Sequence, residues 1–164
     1  MKRQAFYSFN YREDAWRASQ VRNMGLVEGN RPATDNEWQD VSRGGELAIK
    51  RWINQQMKYR TVLIVLIGTN TAGRKWINYE IQHAWEKKLG VCGIRINRLL
   101  DQSGQMSSMG QNPFSVFNLD GMPLSNIVPV LNPDGYTGQQ VYASIRNRMS
   151  GLIEQAIRVR SQYS

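Results

Sequence analysis

Residues suited to nucleophilic or metal chemistry are scarce in this 164-residue sequence. It contains one cysteine and one histidine, and it has no G-x-S-x-G motif. These shortages exclude an internal disulfide framework, the common nucleophile triads and most zinc sites. Cys92 lies in the apolar run VCGI and His83 lies beside Ala84 on a predicted helix. We therefore expect a buried, inert thiol and a structural histidine.

Glycine-rich phosphate-binding motifs are also missing. The sequence has neither G-x-G-x-x-G nor a Walker A motif, which excludes the dinucleotide fingerprint of dehydrogenases and the P-loop. The turn SFNYRED after the first predicted strand has no glycine, which argues against a flavin-phosphate loop. The strand TVLIVLI runs into Gly68, Thr69 and Asn70, so the phosphoacceptor aspartate of a receiver domain is lacking. Chemistry performed by carboxylates and polar groups remains.

Long hydrophobic runs are absent. The longest is far below the roughly 20 residues that span a bilayer, and MKRQAFYSFN lacks the apolar centre of a secretory signal. A single cysteine suits the reducing cytosol. These features predict a soluble, cytoplasmic protein without a membrane partner.

The net charge of +8 results from 21 Lys and Arg against 13 Asp and Glu. The basic residues never run beyond pairs such as Arg74-Lys75, and dispersed charge raises affinity for any polyanion without specifying one. A groove for a small phosphorylated ligand, or solubility alone, fits this pattern as well. Binding to nucleic acid is therefore only a third hypothesis.

Strands and helices alternate along the predicted chain. Strands are predicted at 4–9, 61–67, 91–96 and 127–131, the last at a sheet edge because of Pro129; helices at about 11–24, 45–58, 74–89 and 138–160; and loops at 26–38, with room for a short edge strand, and at 98–126. This alternation predicts one α/β domain over 1–164, with a flavodoxin-like, mostly parallel sheet of about five strands flanked by helices. A loop as long as 98–126 is typical of a functional or mobile segment.

Ligands of such folds bind beyond the carboxyl ends of the strands, near the switch point beside strand one. That rule brings residues 8–12, residues 68–74 and the start of the third predicted helix to one rim. Asn10 is expected to cap the first helix, with Glu13 three residues on as its capping-box partner.

Glu80 is the one acid set among aromatic residues on the third predicted helix. On a helical wheel it falls between Trp76 and Ala84, at the edge of the apolar face, while Glu86 points away. A carboxylate beside large rings is partly desolvated, which raises its pKa unless a donor compensates. The residues alone leave two roles open, a reactive carboxylate or a structural acid paired with an arginine such as Arg74.

Three segments resemble a known family. FYSFNYREDAWRASQVRN (6–23), LIGTNTAGRKWINYEIQHAWEKK (66–88) and GQNPF (110–114) are similar to the bacterial TIR-like family of the ThsB type, from Thoeris anti-phage systems. The most specific pieces are S-F-N-Y and R-K-W-I-N-Y-E-I. The resemblance implies that Glu80 is catalytic and cleaves the nicotinamide N-glycosidic bond of NAD⁺. It further implies a cyclic ADP-ribose-type product, a diffusible signal that activates an effector protein.

The resemblance and the predicted rim together give a set of substrate-binding candidates. They are Ser8, Phe9, Asn10, Tyr11, Thr69, Arg74, Trp76, Tyr79 and Asn112. Basic residues and helix amino ends near residues 8–12 would hold the diphosphate. The four aromatic candidates would stack on nicotinamide or adenine, with core packing as the open alternative for each. The 98–126 loop, with Asn112, would cover the site and exclude water.

No metal and no cofactor are expected, because NAD⁺ enters as the substrate. The rival hypothesis is a non-enzymatic signalling module of the same fold, in which Glu80 is only an ion-pair partner. Self-association into a homo-oligomer stays open under either hypothesis.

Overall fold

The computed structural model describes residues 2–31 and 35–164. Its helices are α1 (Tyr11–Arg22), α2 (Asp35–Arg43), α3 (Gly45–Met57), α4 (Lys75–Glu86) and α5 (Gly138–Ser161). Its strands are β1 (Gln4–Ser8), β2 (Glu28–Gly29), β3 (Val62–Ile67), β4 (Gly90–Arg95), β5 (Asn118–Leu119), β6 (Met122–Pro123) and β7 (Val130–Leu131). Within the described residues, no helix is both long enough and apolar enough to cross a membrane.

Five strands form one parallel sheet in the order β2-β1-β3-β4-β7. This order confirms the predicted flavodoxin-like arrangement. All six residues of β3 are buried, as expected for a central strand that is covered on both faces. Polar groups can therefore gather only where the strands end, and Ser8 and Gly68 lie at the carboxyl ends of the neighbouring strands β1 and β3.

The sheet separates two hydrophobic clusters. On one face α1 and α5 pack through residues such as Val21 and Ile145. On the other face α3 and α4 pack through residues such as Ile53 and Ile81. Successive side chains of a strand point to opposite faces. In β1, Tyr7 belongs to the α1/α5 cluster and Phe6 to the α3/α4 cluster, so Ser8 faces α4.

Helix α2 was not predicted. The interval 26–38 was expected to be a loop because Gly, Pro, Asn and Asp crowd it. In the structure β2 confirms the short edge strand, but a helix begins at Asp35; residues 32–34 lie outside the described part. Trp38 packs edge-to-face on Trp52 of α3, with ring centroids 6.2 Å apart. Tertiary packing therefore outweighs the local preference of these residues for a loop.

Three smaller expectations were wrong in detail. The strand predicted at 127–131 is confined to β7, because a short 3₁₀ turn precedes it and Pro129 has no N–H to donate. The helix predicted to run to about residue 89 and to end at Gly90 stops earlier, because α4 ends at Glu86. The left-handed backbone conformation after it is taken by Lys88, with a φ of 65°. Asn10 does cap α1, accepting from Glu13 N at 3.4 Å, but the Glu13 carboxylate binds Asn70 Nδ2 at 3.0 Å.

Gly90 and Gly151 offer a matched test of how tightly α5 packs on the sheet. A Cβ on Gly90 would lie 2.9 Å from Ile157 N, whereas one on Gly151 meets nothing within 4 Å. Gly90→Ala should lower the free energy of unfolding by about 1–3 kcal/mol through overpacking. Gly151→Ala should raise it by about 0.5–1 kcal/mol through helix propensity. Urea titration checks both, and equal effects would contradict the observed docking of α5.

Candidate functional site

A hydrogen bond between Ser8 and Glu80 joins the end of β1 to the middle of α4. Ser8 Oγ donates to Glu80 Oε1 at 2.9 Å. Ser8 is 1% exposed, and Glu80 is partly buried. Strand alternation directs the hydroxyl to the α4 face, and the helical spacing places Glu80 one residue before Ile81 of the core stripe. Strand alternation and helical spacing thus bring together two residues that are 72 positions apart in the sequence.

Burial raises the pKa of Glu80 to about 8, and the hydrogen bond from Ser8 lowers it by a smaller amount. Desolvation disfavours the charged form of an acid, and a neutral hydroxyl offsets only part of that cost. At neutral pH the free protein therefore holds Glu80 largely protonated. A ligand that brings positive charge to this carboxyl would favour its ionised form.

No arginine or lysine neutralises Glu80 within residues 2–31 and 35–164. Arg74, the candidate ion-pair partner, lies elsewhere: its Nε donates to Asn70 O at 3.2 Å and its guanidinium is 3.9 Å from Glu13. The structural ion-pair explanation for Glu80 is therefore wrong with respect to Arg74. What remains is an acid without a described cationic partner.

A surface hollow of about 600 Å³ opens beside the ends of the strands. Its lining residues are Glu13, Thr69, Asn70, Ala72, Gly73, Arg74, Met109, Gly110 and Gln111. One wall is therefore the turn after β3, and the other comes from the predicted 98–126 loop. Glu80 does not line the hollow, although Ser8 and the buried Asn10 connect the two regions along the rim.

The amino terminus of α4 adjoins this hollow. Its N-cap residue, Arg74, makes no side-chain capping bond, and the first turn contains no acid. The first N–H groups of a helix lack partners inside the helix, and the helix dipole favours negative charge there. Arg74 is half exposed, so the combination of a cation and an uncapped helix end suits an anionic group.

The aromatic candidates do not form one group. Trp76 and Tyr79 meet edge-to-face with centroids 5.9 Å apart and pack on the α3/α4 cluster, and Tyr79 Oη donates to Asn54 Oδ1 at 2.6 Å. Phe9 packs on the α1/α5 cluster instead, on the face opposite Glu80. Tyr11 is 51% exposed and 6.2 Å from Phe9 between ring centroids.

The polar candidates hold the rim together. Asn10 Nδ2 donates to Asn70 O at 3.4 Å, and Thr69 Oγ1 donates to Ser108 O at 2.6 Å. Asn112 Oδ1 accepts from Phe114 N at 2.8 Å, which is a turn within its own loop. Asn10 and Thr69 therefore lie between the end of β1 and the hollow, while the Asn112 side chain is engaged locally.

Two buried charged residues of the rim were not among the candidates. Asp14 is 2% exposed and Arg17 is 6% exposed, and their charged groups are 3.9 Å apart. Burial raises the pKa of Asp14 to about 6, and Arg17 lowers it by less. Their spacing was the available signal, because Asp14, Ala18 and Val21 recur at i, i+4 and i+7 on the buried stripe of α1.

The cysteine and histidine behave as expected. Cys92 is fully buried, and burial raises the pKa of its thiol to about 12. His83 stacks on Tyr79 with ring centroids 5.8 Å apart. In the described part of the chain, no three His, Cys, Asp or Glu side chains are placed to share a metal ion.

Two comparisons with known proteins found similarity to this chain. The family described as Thoeris protein ThsB, TIR-like domain, matches residues 6–101, which include Ser8, Arg74 and Glu80 but not Asn112. The chain is also 35% identical over 119 residues to the Bacillus cereus (strain MSX-D12) protein named "Putative cyclic ADP-D-ribose synthase ThsB1". That alignment covers 70% of this chain and 62% of the relative, so the chain spans less than two thirds of that protein's length.

The family match covers more than half of the chain, from within β1 to beyond β4. It contains the S-F-N-Y and R-K-W-I-N-Y-E-I segments and the hydrogen bond that joins them. The chain therefore belongs to the ThsB family of Thoeris TIR-like domains.

Proposed function

We propose that the protein cleaves the nicotinamide N-glycosidic bond of NAD⁺ and forms a cyclic ADP-ribose-type signal for anti-phage defence, with Glu80 as the catalytic carboxylate. The observation that carries the proposal is the partly buried Glu80, bound by Ser8 and without a described cationic partner. The activity named for the Bacillus cereus relative supports the choice of substrate class. The single buried cysteine suits the cytoplasm, where the signal would reach its effector protein.

Glu80 acts through charge. When the bond between the ribose carbon and the nicotinamide nitrogen breaks, its electron pair leaves with nicotinamide and positive charge develops on the ribose. A carboxylate fixed beside that charge stabilises the transition state more than the ground state. The cationic nicotinamide ring also lowers the pKa of Glu80 on binding, which converts the protonated resting acid into the reactive anion. Ser8 holds the carboxylate in place throughout.

The hollow is the proposed site for the diphosphate. Arg74 and the uncapped amino end of α4 supply the positive potential there. The exposed pair between Arg74 and Glu13 contributes at most about 1 kcal/mol, so the guanidinium can exchange the carboxylate for a phosphate at little cost. Thr69, Asn10 and the segment around Gly110 then surround the bound dinucleotide and limit the access of water, which favours cyclisation over hydrolysis.

The aromatic candidates and Asn112 have roles apart from the diphosphate site. Trp76, Tyr79 and Tyr11 remain proposed stacking residues on the α4 side and at the rim, whereas Phe9 is assigned to packing beneath it. Asn112 is assigned to the turn of its loop. A non-enzymatic signalling module is the competing function, and it would use the same fold without NAD⁺ turnover.

Replacing Glu80 tests the catalytic role directly. Glu80→Gln keeps the size of the side chain and an acceptor for Ser8 but removes the charge. Nicotinamide release from NAD⁺ should fall at least about a hundredfold, a loss of about 2.7 kcal/mol in transition-state stabilisation. Chromatography of nicotinamide, with and without lysate from phage-infected cells as a source of activators, measures the effect.

Glu86→Gln is the matched control, because Glu86 is an exposed acid on the same helix and accepts a hydrogen bond from Gln82 Nε2 at 3.1 Å. It should retain wild-type turnover. Equal turnover by wild type and Glu80→Gln would refute the catalytic assignment, and equal losses in both variants would indicate a general effect of lost negative charge.

The raised pKa of Glu80 predicts a pH dependence. Only the ionised form stabilises the ribose cation, so kcat/KM should rise about tenfold per pH unit below a midpoint of about 8 and level off above it. Ser8→Ala should move that midpoint to higher pH, because the lost hydrogen bond is the contribution that lowers the pKa. A kcat/KM that stays flat from about pH 6 to 9 would contradict the role of Glu80.

Arg74 should govern binding and not the chemical step. Arg74→Gln should raise KM for NAD⁺ about tenfold or more, since a charge-assisted hydrogen bond contributes about 1.5–3 kcal/mol, and leave kcat within a few-fold. Arg43→Gln is the control, because Arg43 is an exposed arginine that pairs with Asp40 on α2. A KM unchanged in Arg74→Gln would exclude the hollow as the diphosphate site.

A further inference from the structure

Asp14 and Arg17 form a buried charged pair that no part of the proposed reaction uses. Their side chains lie 3.9 Å apart at 2% and 6% exposure. Burial of two charges is unfavourable unless hydrogen bonds satisfy them. Oδ2 of Asp14 has no hydrogen-bond partner among the described residues. The pair is therefore held in place by the two chain segments that pack against it, 99–111 and 68–71.

One side of the pair is the 99–111 segment, which carries one wall of the hollow. Arg17 Nε donates to Leu99 O at 2.7 Å, and its Nη2 donates to Gln105 O at 2.9 Å and lies 3.8 Å from Asp101. The segment contains no helix or strand, so a side chain supplies donors to carbonyls that no ladder of secondary structure reaches.

The other side of the pair is the 68–71 turn, which carries the opposite wall. A Cβ on Gly68 would lie 2.2 Å from Asp14 Oδ2 and 2.5 Å from Oδ1, so only glycine permits this approach. Thr71 Oγ1 accepts from Gly68 N at 2.8 Å and fixes the turn. Asp14 thus lies directly against the backbone at the end of β3.

The two walls also meet directly at the hollow. A Cβ on Gly110 would lie 2.3 Å from Gly68 O and 2.5 Å from Thr69 O. Arg95 Nη1 donates to Gly110 O at 2.7 Å, and Thr69 Oγ1 donates to Ser108 O at 2.6 Å. The separation of Met109, Gly110 and Gln111 from the turn is therefore fixed at the Arg17 end and at the Gly110 end.

We propose that Asp14 and Arg17 are a positioning pair that holds the 99–111 segment at a fixed distance from the 68–71 turn and so sets the width of the hollow. The pair does not contact the reacting atoms. Its effect on NAD⁺ binding rests on the proposed function, whereas its hold on the segment does not. The segment is thereby an anchored wall and not a mobile lid.

Arg17→Lys tests the pair, with Arg22→Lys as the matched control. Arg22 also lies on α1 and donates to a backbone carbonyl, that of Asn30, but it is the last residue of the helix, whereas Arg17 lies in the middle. Lysine keeps the charge in both variants and loses the forked donor geometry. Hydrogen exchange of the bonded amides of Asp101, Gln105 and Ser107 reports on the segment without any substrate.

In Arg17→Lys these amides should exchange about tenfold faster than in Arg22→Lys, the factor expected for one lost charge-assisted hydrogen bond. KM for NAD⁺ should rise about tenfold with kcat within about threefold, while Arg22→Lys keeps the wild-type KM. Equal exchange in the two variants overturns the proposal. Faster exchange with KM equal to that of Arg22→Lys also overturns it, since the pair would then be only a structural anchor.

Gly110→Ala provides a second variant if Arg17→Lys does not fold. The added methyl group must push the wall away from Gly68 O while Arg17 stays intact, so faster exchange and a higher KM are expected again, and wild-type values for both overturn the proposal. If wild type neither binds nor cleaves NAD⁺, the proposed function fails, and the exchange rates alone decide whether the pair holds the segment.

Discussion

The contact between Ser8 and Glu80 is the interaction on which the organisation of the rim depends. An acid in this position is costly, because a single hydroxyl replaces the water that an exposed carboxylate would bind. The cost can be sustained only because β1 and α4 are both anchored by large clusters on the sheet. The stability of the core thus supports a side chain that contributes nothing to stability itself, a pattern common at functional sites.

The rim is built from two kinds of backbone, the carboxyl ends of parallel strands and the irregular segments that follow them. The strands deliver polar residues to one edge with fixed register, as Ser8 opposite Val65 illustrates. The connecting segments are irregular, and side chains from α1 and β4 supply the hydrogen bonds that secondary structure does not, as with Arg17 and Arg95. Rigid strands and anchored loops therefore bring the contact between Ser8 and Glu80 and the hollow to the same edge of the sheet.

Much of the fold was predictable because its signals are periodic and local. The run at β3, the spacing of Ile77, Ile81 and Ala84 and the cap at Asn10 indicate buried strand, amphipathic helix and helix start without tertiary information. Helix α2 was missed because packing of Trp38 on Trp52 joins residues whose contact no local pattern encodes. Its preceding residues 32–34 lie outside the described part of the structure.

The site was predictable to a smaller extent. Wheel geometry separates Glu80 from Glu86, and the same reasoning applied to α1 would have found Asp14. It could not have found the partners of Arg17 or Arg95, since these are backbone carbonyls that every residue possesses. Phe9 and Glu80 lie on opposite faces of the sheet, as the alternation of side chains along a strand requires. The candidate substrate-binding residues were chosen without using that alternation.

The long sequence separation of the rim contacts has a consequence for synthesis on the ribosome. Arg17 bonds carbonyls 82 and 88 residues further along the chain, and Ser8 binds a residue 72 positions later. Contacts of this kind form late, because the chain must first close long loops. The nascent amino-terminal half can therefore build strands and helices before the hollow exists, because Met109, Gly110 and Gln111 of its lining are synthesised later.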